Sequence, residues 1–195
     1  MKTHLPPRET RRKLLHLASS LIPLGYWLAG REIALMVLGV MICCMLLAEY
    51  ARLRTTWGRQ TYNRFFGSMT RPAEQGTLTG ATYVLVGMAL ASFLFPAKIA
   101  ITVMLFLSLG DSAAAIVGQR YGRIPIGRKT LEGTLACFVV CSGITLAAGF
   151  PWLFSLAAGT VGAITELIPW GVLNDNIAIP LVSGGFMYFM LSVPA

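Results

Sequence analysis

Long uncharged apolar runs, separated by short clusters of charged residues, dominate the chain. The runs cover residues 17–30, 33–48, 75–97, 133–165 and 176–195. A membrane-spanning helix needs about 20 apolar residues, so the run from Gly133 predicts two helices, with a turn at Gly149-Phe150-Pro151. With a further helix through Asp111, the pattern predicts seven helices, at residues 14–30, 32–51, 77–95, 97–118, 131–149, 152–168 and 176–193.

Composition supports a membrane location for these helices. The chain of 195 residues is 55% hydrophobic and 12% charged, whereas about 25% of the residues in a soluble domain are charged. Its mean hydropathy is +0.67. We therefore predict an all-α integral membrane protein, with about seven transmembrane helices in a bundle that forms a single domain over residues 1–195.

The charged residues orient the predicted bundle. All but Arg31 and Lys98 of the 16 basic residues fall on one side of it, which by the positive-inside rule is the cytoplasmic side and carries the N-terminus. Topology accounts for this charge, so nucleic acid is not expected as a partner. Every acidic residue except Glu32 falls on the same side. Topology does not require acids there, and they predict a functional site at the cytoplasmic face.

Asp111 is the most informative single residue. A carboxylate inside an apolar helix costs on the order of 2.5–3.5 kcal/mol on insertion scales, so Asp111 must be paired, bind a metal or face a watery cavity. Small residues follow it every three to four positions, at Ala114 or Ala115, Gly118 and Gly122. Such a stripe serves close helix packing, or it lets a nucleotide lie against the backbone.

A basic loop, GRIPIGRKT at residues 122–130, precedes the next predicted helix. It is one residue longer than the Walker A pattern and no strand precedes it, so it is not a P-loop. Thr130 is a candidate N-cap, and a helix N-terminus beside Arg128 and Lys129 suits phosphate oxygens. The alternative is that both basic side chains anchor the helix to lipid headgroups.

Three further segments carry polar groups that have either a structural or a functional interpretation. Near the N-terminus, Arg12, Lys13 and His16 share a helix face, as membrane anchors or as ligands. In the segment 76–80, Thr79 caps a helix or contacts substrate. The run 174–176, Asn-Asp-Asn, caps the last predicted helix or supplies a metal ligand.

Together these blocks resemble the CTP-dependent lipid kinase family, which includes dolichol, polyprenol, phytol and fungal-type diacylglycerol kinases and is distantly related to CDP-diacylglycerol synthases. The resemblance rests on six segments: RRKLLHL at 11–17, the E-x-x-R of Glu49 to Arg52, GTLTGATY at 76–83, GDSAAAIVGQRYGR at 110–123, GRKTLEGT at 127–134 and NDNIAIPLVSG at 174–184. The positions that match the family's motifs are Arg12, Lys13, Asp111, Gly118, Lys129, Glu132 and Asp175.

The resemblance implies transfer of the γ-phosphoryl group of CTP to the hydroxyl of a membrane lipid alcohol, with Mg²⁺ as the cofactor. The expected metal ligands are Asp111, Asp175 and Glu132, and the expected catalytic residues are Asp111, Lys129 and Glu132. Asp111 is alternatively the general base. Expected nucleotide contacts are Arg12, Lys13, Gly110, Gly118, Gly122, Arg128, Lys129 and Thr130. Expected contacts with the lipid substrate are His16, Thr79, Asn174 and Asn176.

Two other functions remain open at this stage. A CTP:phosphatidate-type cytidylyltransferase, which makes a CDP-lipid, would need similar acids and bases. A non-enzymatic transporter or scaffold is the second alternative, although a transporter would place its polar groups near the bilayer midplane. The resemblance also suggests a homodimer. The expected location is a prokaryotic cell membrane, or the endoplasmic reticulum or plastid membrane of a eukaryote, with the site facing the cytoplasm.

Overall fold

A computed structural model describes residues 7–70, 74–170 and 174–193. Lys2 and Arg71, which contribute to the charge asymmetry, lie outside them. Of the described residues, 81% are helical. Its helices are α1 (Pro7–Ala18), α2 (Leu21–Ala29), α3 (Arg31–Arg54), α4 (Thr56–Phe66), α5 (Gly80–Leu94), α6 (Ala97–Leu105), α7 (Asp111–Tyr121), α8 (Leu131–Ala147), α9 (Trp152–Leu167) and α10 (Asp175–Ser192), with a π-helical turn at Phe106–Gly110 and the strands β1 (Pro125–Ile126) and β2 (Lys129–Thr130).

The predicted all-helical class is confirmed, but the seven-span bundle is not. In the described part of the chain, two helical stretches are long and apolar enough to cross a membrane: α3, and the continuous stretch Ala97–Tyr121 that joins α6, the π-turn and α7. The apolar helices α5, α8 and α9 are shorter. Large apolar side chains such as Trp27 and Leu47 are exposed, as expected for surfaces that face lipid.

The first predicted helix, 14–30, is two helices in the structure. α1 ends at Ala18 and α2 begins at Leu21. Pro23 has no N–H to donate to the carbonyl of Ser19, so an α-helix cannot continue unbroken through this turn. The Ser19 hydroxyl also hydrogen-bonds the carbonyl of His16 at 2.6 Å, which competes with the regular helical pattern. The apolar run alone did not reveal this break.

Two elements lie outside the seven predicted helices. α4 is an additional helix, and Thr55 caps it by accepting a hydrogen bond from the Gly58 amide at 3.0 Å. The basic loop forms a short antiparallel hairpin, in which Pro125 pairs with Thr130 and Ile126 pairs with Lys129. Gly127 adopts a φ of 60° in the connecting turn, a conformation that glycine adopts at little cost.

The core lies where α5, α6 and the π-turn meet the C-terminal helices. Met88, Val103, Met104, Phe106 and Leu107 are fully buried there. α8 packs against α7 and α9, and α10 packs against α5 and α9. The α1 helix packs mainly against the edge of this core, at the π-turn and α7.

Glycine permits the close approach of α8 and α9. A Cβ at Gly159 would lie 2.8 Å from the amide nitrogen of Ser142 and 3.0 Å from the carbonyl oxygen of Phe138. Both distances are too short for a carbon atom, so any side chain at position 159 would push the helices apart.

We expect Gly159→Ala to lower the free energy of unfolding by about 1–3 kcal/mol, the usual cost of overpacking. Thermal unfolding of the purified protein in detergent measures this. Gly143→Ala on α8 is the matched control, because a Cβ there meets no atom within 4 Å and alanine is the better helix former. Equal stability of the two variants would contradict the close packing of α8 and α9.

Candidate functional site

A cavity of about 250 Å³ lies among α1, α7, the hairpin and the facing ends of α8, α9 and α10. Its volume is just below the roughly 300–1,000 Å³ typical of small-molecule sites. Three cationic and three anionic side chains line it, together with small residues of α7 and α8. The charged residues are Lys13, Asp111, Arg128, Lys129, Glu166 and Asp175.

Asp111 is paired, as its position in an apolar helix predicted. The Lys13 ammonium lies 2.6 Å from Asp111 Oδ2 and the His16 ring nitrogen Nε2 lies 3.1 Å from the same oxygen. His16 Nε2 is also 2.8 Å from the carbonyl oxygen of Leu107. Both neighbours of Nε2 are acceptors, so this nitrogen carries the proton. α1 therefore supplies two donors to one carboxylate oxygen.

The π-turn brings these groups together. Its wider turn precedes Asp111 directly, and π-helical turns are often found at functional sites. The Ser108 hydroxyl lies 2.9 Å from that of Ser19, just after α1. This contact and the hydrogen bond from His16 to Leu107 hold the end of α1 against the turn. The position of Lys13 thus depends on polar contacts between the end of α1 and the π-turn that precedes Asp111.

A second cluster of charged residues is centred on Lys129. Its ammonium lies 2.9 Å from Glu166 Oε1 and 3.4 Å from Asp175 Oδ2, and it also donates to the backbone carbonyl of Glu166. Burial lowers the pKa of Lys129, but the charges of Glu166 and Asp175 outweigh burial and raise the pKa above its usual value. Lys129 therefore stays protonated in the physiological range.

The hairpin and a helix cap position the basic side chains. Thr130 is the N-cap of α8, as the sequence predicted, and its hydroxyl accepts a hydrogen bond from the Gly133 amide at 3.2 Å. A Cβ at Gly118 would lie 2.8 Å from the Thr130 hydroxyl, so the absence of a side chain lets α7 approach the cap. Arg128 and Lys129, which immediately precede it, consequently reach the cavity.

A buried ion pair supports the neighbouring segment. Glu49 and Arg52 are 1% and 4% exposed, and their charged groups are 2.6 Å apart. Arg52 donates to the backbone carbonyls of Glu74, Gln75 and Thr77. Glu49 Oε1 accepts from the amide and the hydroxyl of Thr79, at 2.9 and 2.6 Å. The pair thereby fixes the segment that leads into α5.

The structure brings together only part of the residue set expected from the sequence. The expected residues that line the cavity are Lys13, Asp111, Gly118, Arg128, Lys129, Thr130 and Asp175. His16 joins them through Asp111. Arg12 and Asn176 meet beside Gly80, where a Cβ would lie 3.5 Å from a nitrogen of each.

The other expected residues have contacts of a different kind. Glu132 accepts hydrogen bonds from the amides of Arg123 and Ile124, at 2.9 and 3.3 Å for Oε1. Thr79 binds Glu49, and Asn174 caps α10 by accepting from the Asn176 amide at 3.1 Å. The two remaining glycines serve helix packing: a Cβ at Gly110 would meet Cys141, and one at Gly122 would meet Thr130.

Glu166 is the functional candidate that sequence reasoning missed. It is 4% exposed, lines the cavity and contacts Lys129. The signal was present, because Glu166 ends an uncharged run of 33 residues and a lone acid beside such a run needs a partner as Asp111 does. The sequence did not indicate that α9 turns this carboxylate toward the same cavity.

Comparison with known proteins identifies the family. The chain is 33% identical to a CTP-dependent diacylglycerol kinase of Schizosaccharomyces pombe over 151 residues, which cover 67% of this chain and 68% of that protein. It is 29% identical to a phytol kinase of Synechocystis over 92% of this chain and 78% of the relative. A dolichol kinase of Saccharomyces cerevisiae matches at 44% identity over 84 residues, 38% of this chain and 16% of the relative. No protein-family model and no solved structure matches the chain.

The chain therefore belongs to the lipid kinase family that contains the CTP-dependent diacylglycerol kinases, the phytol kinases and the dolichol kinases. The resemblance drawn from the sequence motifs is confirmed, and the protein is a lipid kinase.

We expect Arg52→Met to destabilise the fold by about 3–5 kcal/mol, because it leaves Glu49 charged and buried without its partner. Combining it with Glu49→Gln should cost less than the sum of the two single changes, and thermal unfolding of all three variants measures the difference. Arg54→Met, in an exposed position two residues away, is the control and should change stability by no more than about 0.5 kcal/mol. Additive effects would show that the pair is not coupled.

Proposed function

We propose that the protein transfers the γ-phosphoryl group of CTP to the hydroxyl of a membrane lipid alcohol, a polyprenol, phytol or diacylglycerol, at the cytoplasmic face of the membrane. The observation that carries this proposal is the cavity in which three cationic and three anionic side chains converge from five separate elements. The nucleotide assignment is supported by a relative whose name states dependence on CTP.

The balance of charges suits a triphosphate bound with a cation. Phosphoryl transfer requires alignment of the reacting groups and neutralisation of charge on the phosphate oxygens. Lys13, Arg128 and Lys129 supply positive charge from α1 and the hairpin. The start of α8 adds backbone N–H groups that attract phosphate. Because the cavity is small, we assign it to the phosphate chain and not to the whole nucleotide.

Asp111 is the best candidate for the group that orients the lipid hydroxyl and accepts its proton. Two donors hold its Oδ2 oxygen, Lys13 and His16, which keeps the carboxylate in one orientation. An aspartate serves this purpose in other phosphotransferases. The alternative, that Asp111 binds the cation, predicts a loss of metal affinity on its substitution as well as a loss of turnover.

The acids fit the expected cofactor, Mg²⁺. Within residues 7–70, 74–170 and 174–193, no three His, Cys, Asp or Glu side chains form a group that could enclose a metal ion. Mg²⁺ usually keeps several waters and binds one or two carboxylates together with substrate phosphates. The cavity offers carboxylates of this kind at Asp111, Glu166 and Asp175. When bound, the ion would neutralise charge on the phosphate oxygens.

The direct test supplies CTP labelled at either the α- or the γ-phosphorus to the purified protein with Mg²⁺ and a panel of lipids. The panel contains diacylglycerol, a polyprenol, phytol and phosphatidate, and labelled ATP is the comparison nucleotide. We expect the γ-label to appear on one of the alcohols. Transfer of the α-label to phosphatidate would instead identify a cytidylyltransferase, and preference for ATP would contradict the assignment of CTP.

We expect Asp111→Asn to lower the turnover number by on the order of 10²–10⁴, the range for loss of a general base. Initial rates at saturating CTP and lipid measure this, normalised to protein that elutes as a folded species in detergent. The control is Glu32→Gln. Glu32 is an exposed acid in the first turn of α3, and the variant should retain the turnover of the unmodified protein. Unchanged turnover of folded Asp111→Asn would rule out the assigned role.

A further inference from the structure

One oxygen of Glu166 has no hydrogen-bond partner in the described part of the chain. The Glu166 side chain is 6% exposed, and its Oε1 atom binds Lys129, but Oε2 is buried and unpartnered among the described residues. An unpaired charged oxygen in a buried site costs several kcal/mol unless a ligand compensates it. Because Glu166 lines the cavity, a cation or another hydrogen-bond donor bound in that cavity is the ligand best placed to satisfy Oε2.

Lys129 shows where a cation can bind. Its ammonium lies between two carboxylates from different helices, 2.9 Å from Glu166 on α9 and 3.4 Å from Asp175 on α10. An ammonium in this position stands in for a cation that both acids can share. Asp175 is only partly buried, with 40% of its side chain exposed, so solvent and a hydrated ion can reach this carboxylate.

We propose that Glu166 and Asp175 form the protein part of the divalent-cation site, and that Lys129 leaves them for a phosphate group when the cation binds. This proposal refines the kinase function proposed above and rests on it. Of the ligand set expected from the sequence, it keeps Asp175, replaces Glu132 with Glu166 and leaves Asp111 to the lipid hydroxyl. Two carboxylates, completed by water and substrate oxygens, suit Mg²⁺.

Glu132 is less suited to the site. Its carboxylate already accepts hydrogen bonds from the amides of Arg123 and Ile124. These bonds hold the carboxylate against the segment that leads into the hairpin. It is absent from the residues that line the cavity. Glu166 has the opposite properties, since it is buried, faces the cavity and keeps one oxygen unused.

Displacement of Lys129 has a measurable consequence. While its ammonium occupies the space between the two acids, a cation must compete with it, so the apparent affinity for the cation is reduced. Removing the ammonium should strengthen cation binding in the absence of nucleotide. A purely catalytic role of Lys129, distant from the cation, would leave that affinity unchanged.

The test measures Mn²⁺ binding to the full-length protein in detergent by electron paramagnetic resonance, without nucleotide or lipid, and Mg²⁺ competition confirms that the site accepts Mg²⁺. We expect Glu166→Gln and Asp175→Asn each to weaken binding at least tenfold. Lys129→Met should tighten it several-fold, and Glu132→Gln should leave it unchanged. Thermal unfolding checks each variant, and the exposed Asp175 provides a test even if Glu166→Gln is unstable.

Two results would overturn the proposal: unchanged Mn²⁺ affinity in folded Asp175→Asn or Glu166→Gln, or a loss of affinity in Glu132→Gln that matches theirs. The kinase assay is separate. Weaker Mn²⁺ binding in both acid variants, in a protein that transfers no phosphoryl group to any lipid, would support the cation site and reject the proposed function. If the protein is an active kinase and Mn²⁺ binding is unaltered in Glu166→Gln and Asp175→Asn, the proposed function is supported and the cation site is rejected.

Discussion

The pairing of charged groups within an apolar helix bundle is the constraint on which the rest of this structure depends. A carboxylate such as Asp111 is too costly to leave unpaired in low-dielectric surroundings, so the chain must bring a donor to it. Lys13 and His16 meet this requirement from α1. Since α1 packs mainly against the π-turn and α7 at the edge of the core, these polar contacts are important for its position. The same requirement draws Lys129 toward the acids of α9 and α10.

Pairs of this kind give a fold that also suits ligand binding. Lys13 and Lys129 are each held by carboxylates in the cavity, and each is also the kind of group that binds phosphate. When a nucleotide binds together with a divalent ion, its phosphates can take the place of the carboxylates beside the basic side chains. The ion can take the place of the basic side chains beside the carboxylates. The charges of Lys13 and Lys129 are therefore neutralised before substrate binds, and binding replaces one set of favourable interactions with another. The cost is competition between internal pairs and the ligand.

Two ion pairs with similar chemistry differ in how completely they are satisfied. Glu49 and Arg52 are almost wholly buried and, besides pairing with each other, they hydrogen-bond backbone and hydroxyl groups of the segment that they fix. This pair is structural. Glu166 is buried to a similar degree, yet its Oε2 has no partner in the described chain. The two carboxylates differ in how fully their hydrogen-bonding groups are satisfied, and a buried polar atom left unsatisfied in a native protein calls for an explanation such as a bound ion or water.

Much of this organisation follows from the sequence by itself. The apolar runs predicted the later helices to within about three residues, Thr130 was identifiable as a helix cap, and the need of Asp111 for a partner followed from its surroundings. These features depend on local periodicity and on the cost of an isolated charge. Only the tertiary structure decided that Glu166 and not Glu132 lines the cavity, that the first apolar run breaks after Ala18, and which donor Asp111 receives. Those outcomes depend on how helices rotate and pack against one another, and a pattern of hydrophobic and polar positions along the chain does not specify the neighbour that each polar side chain meets.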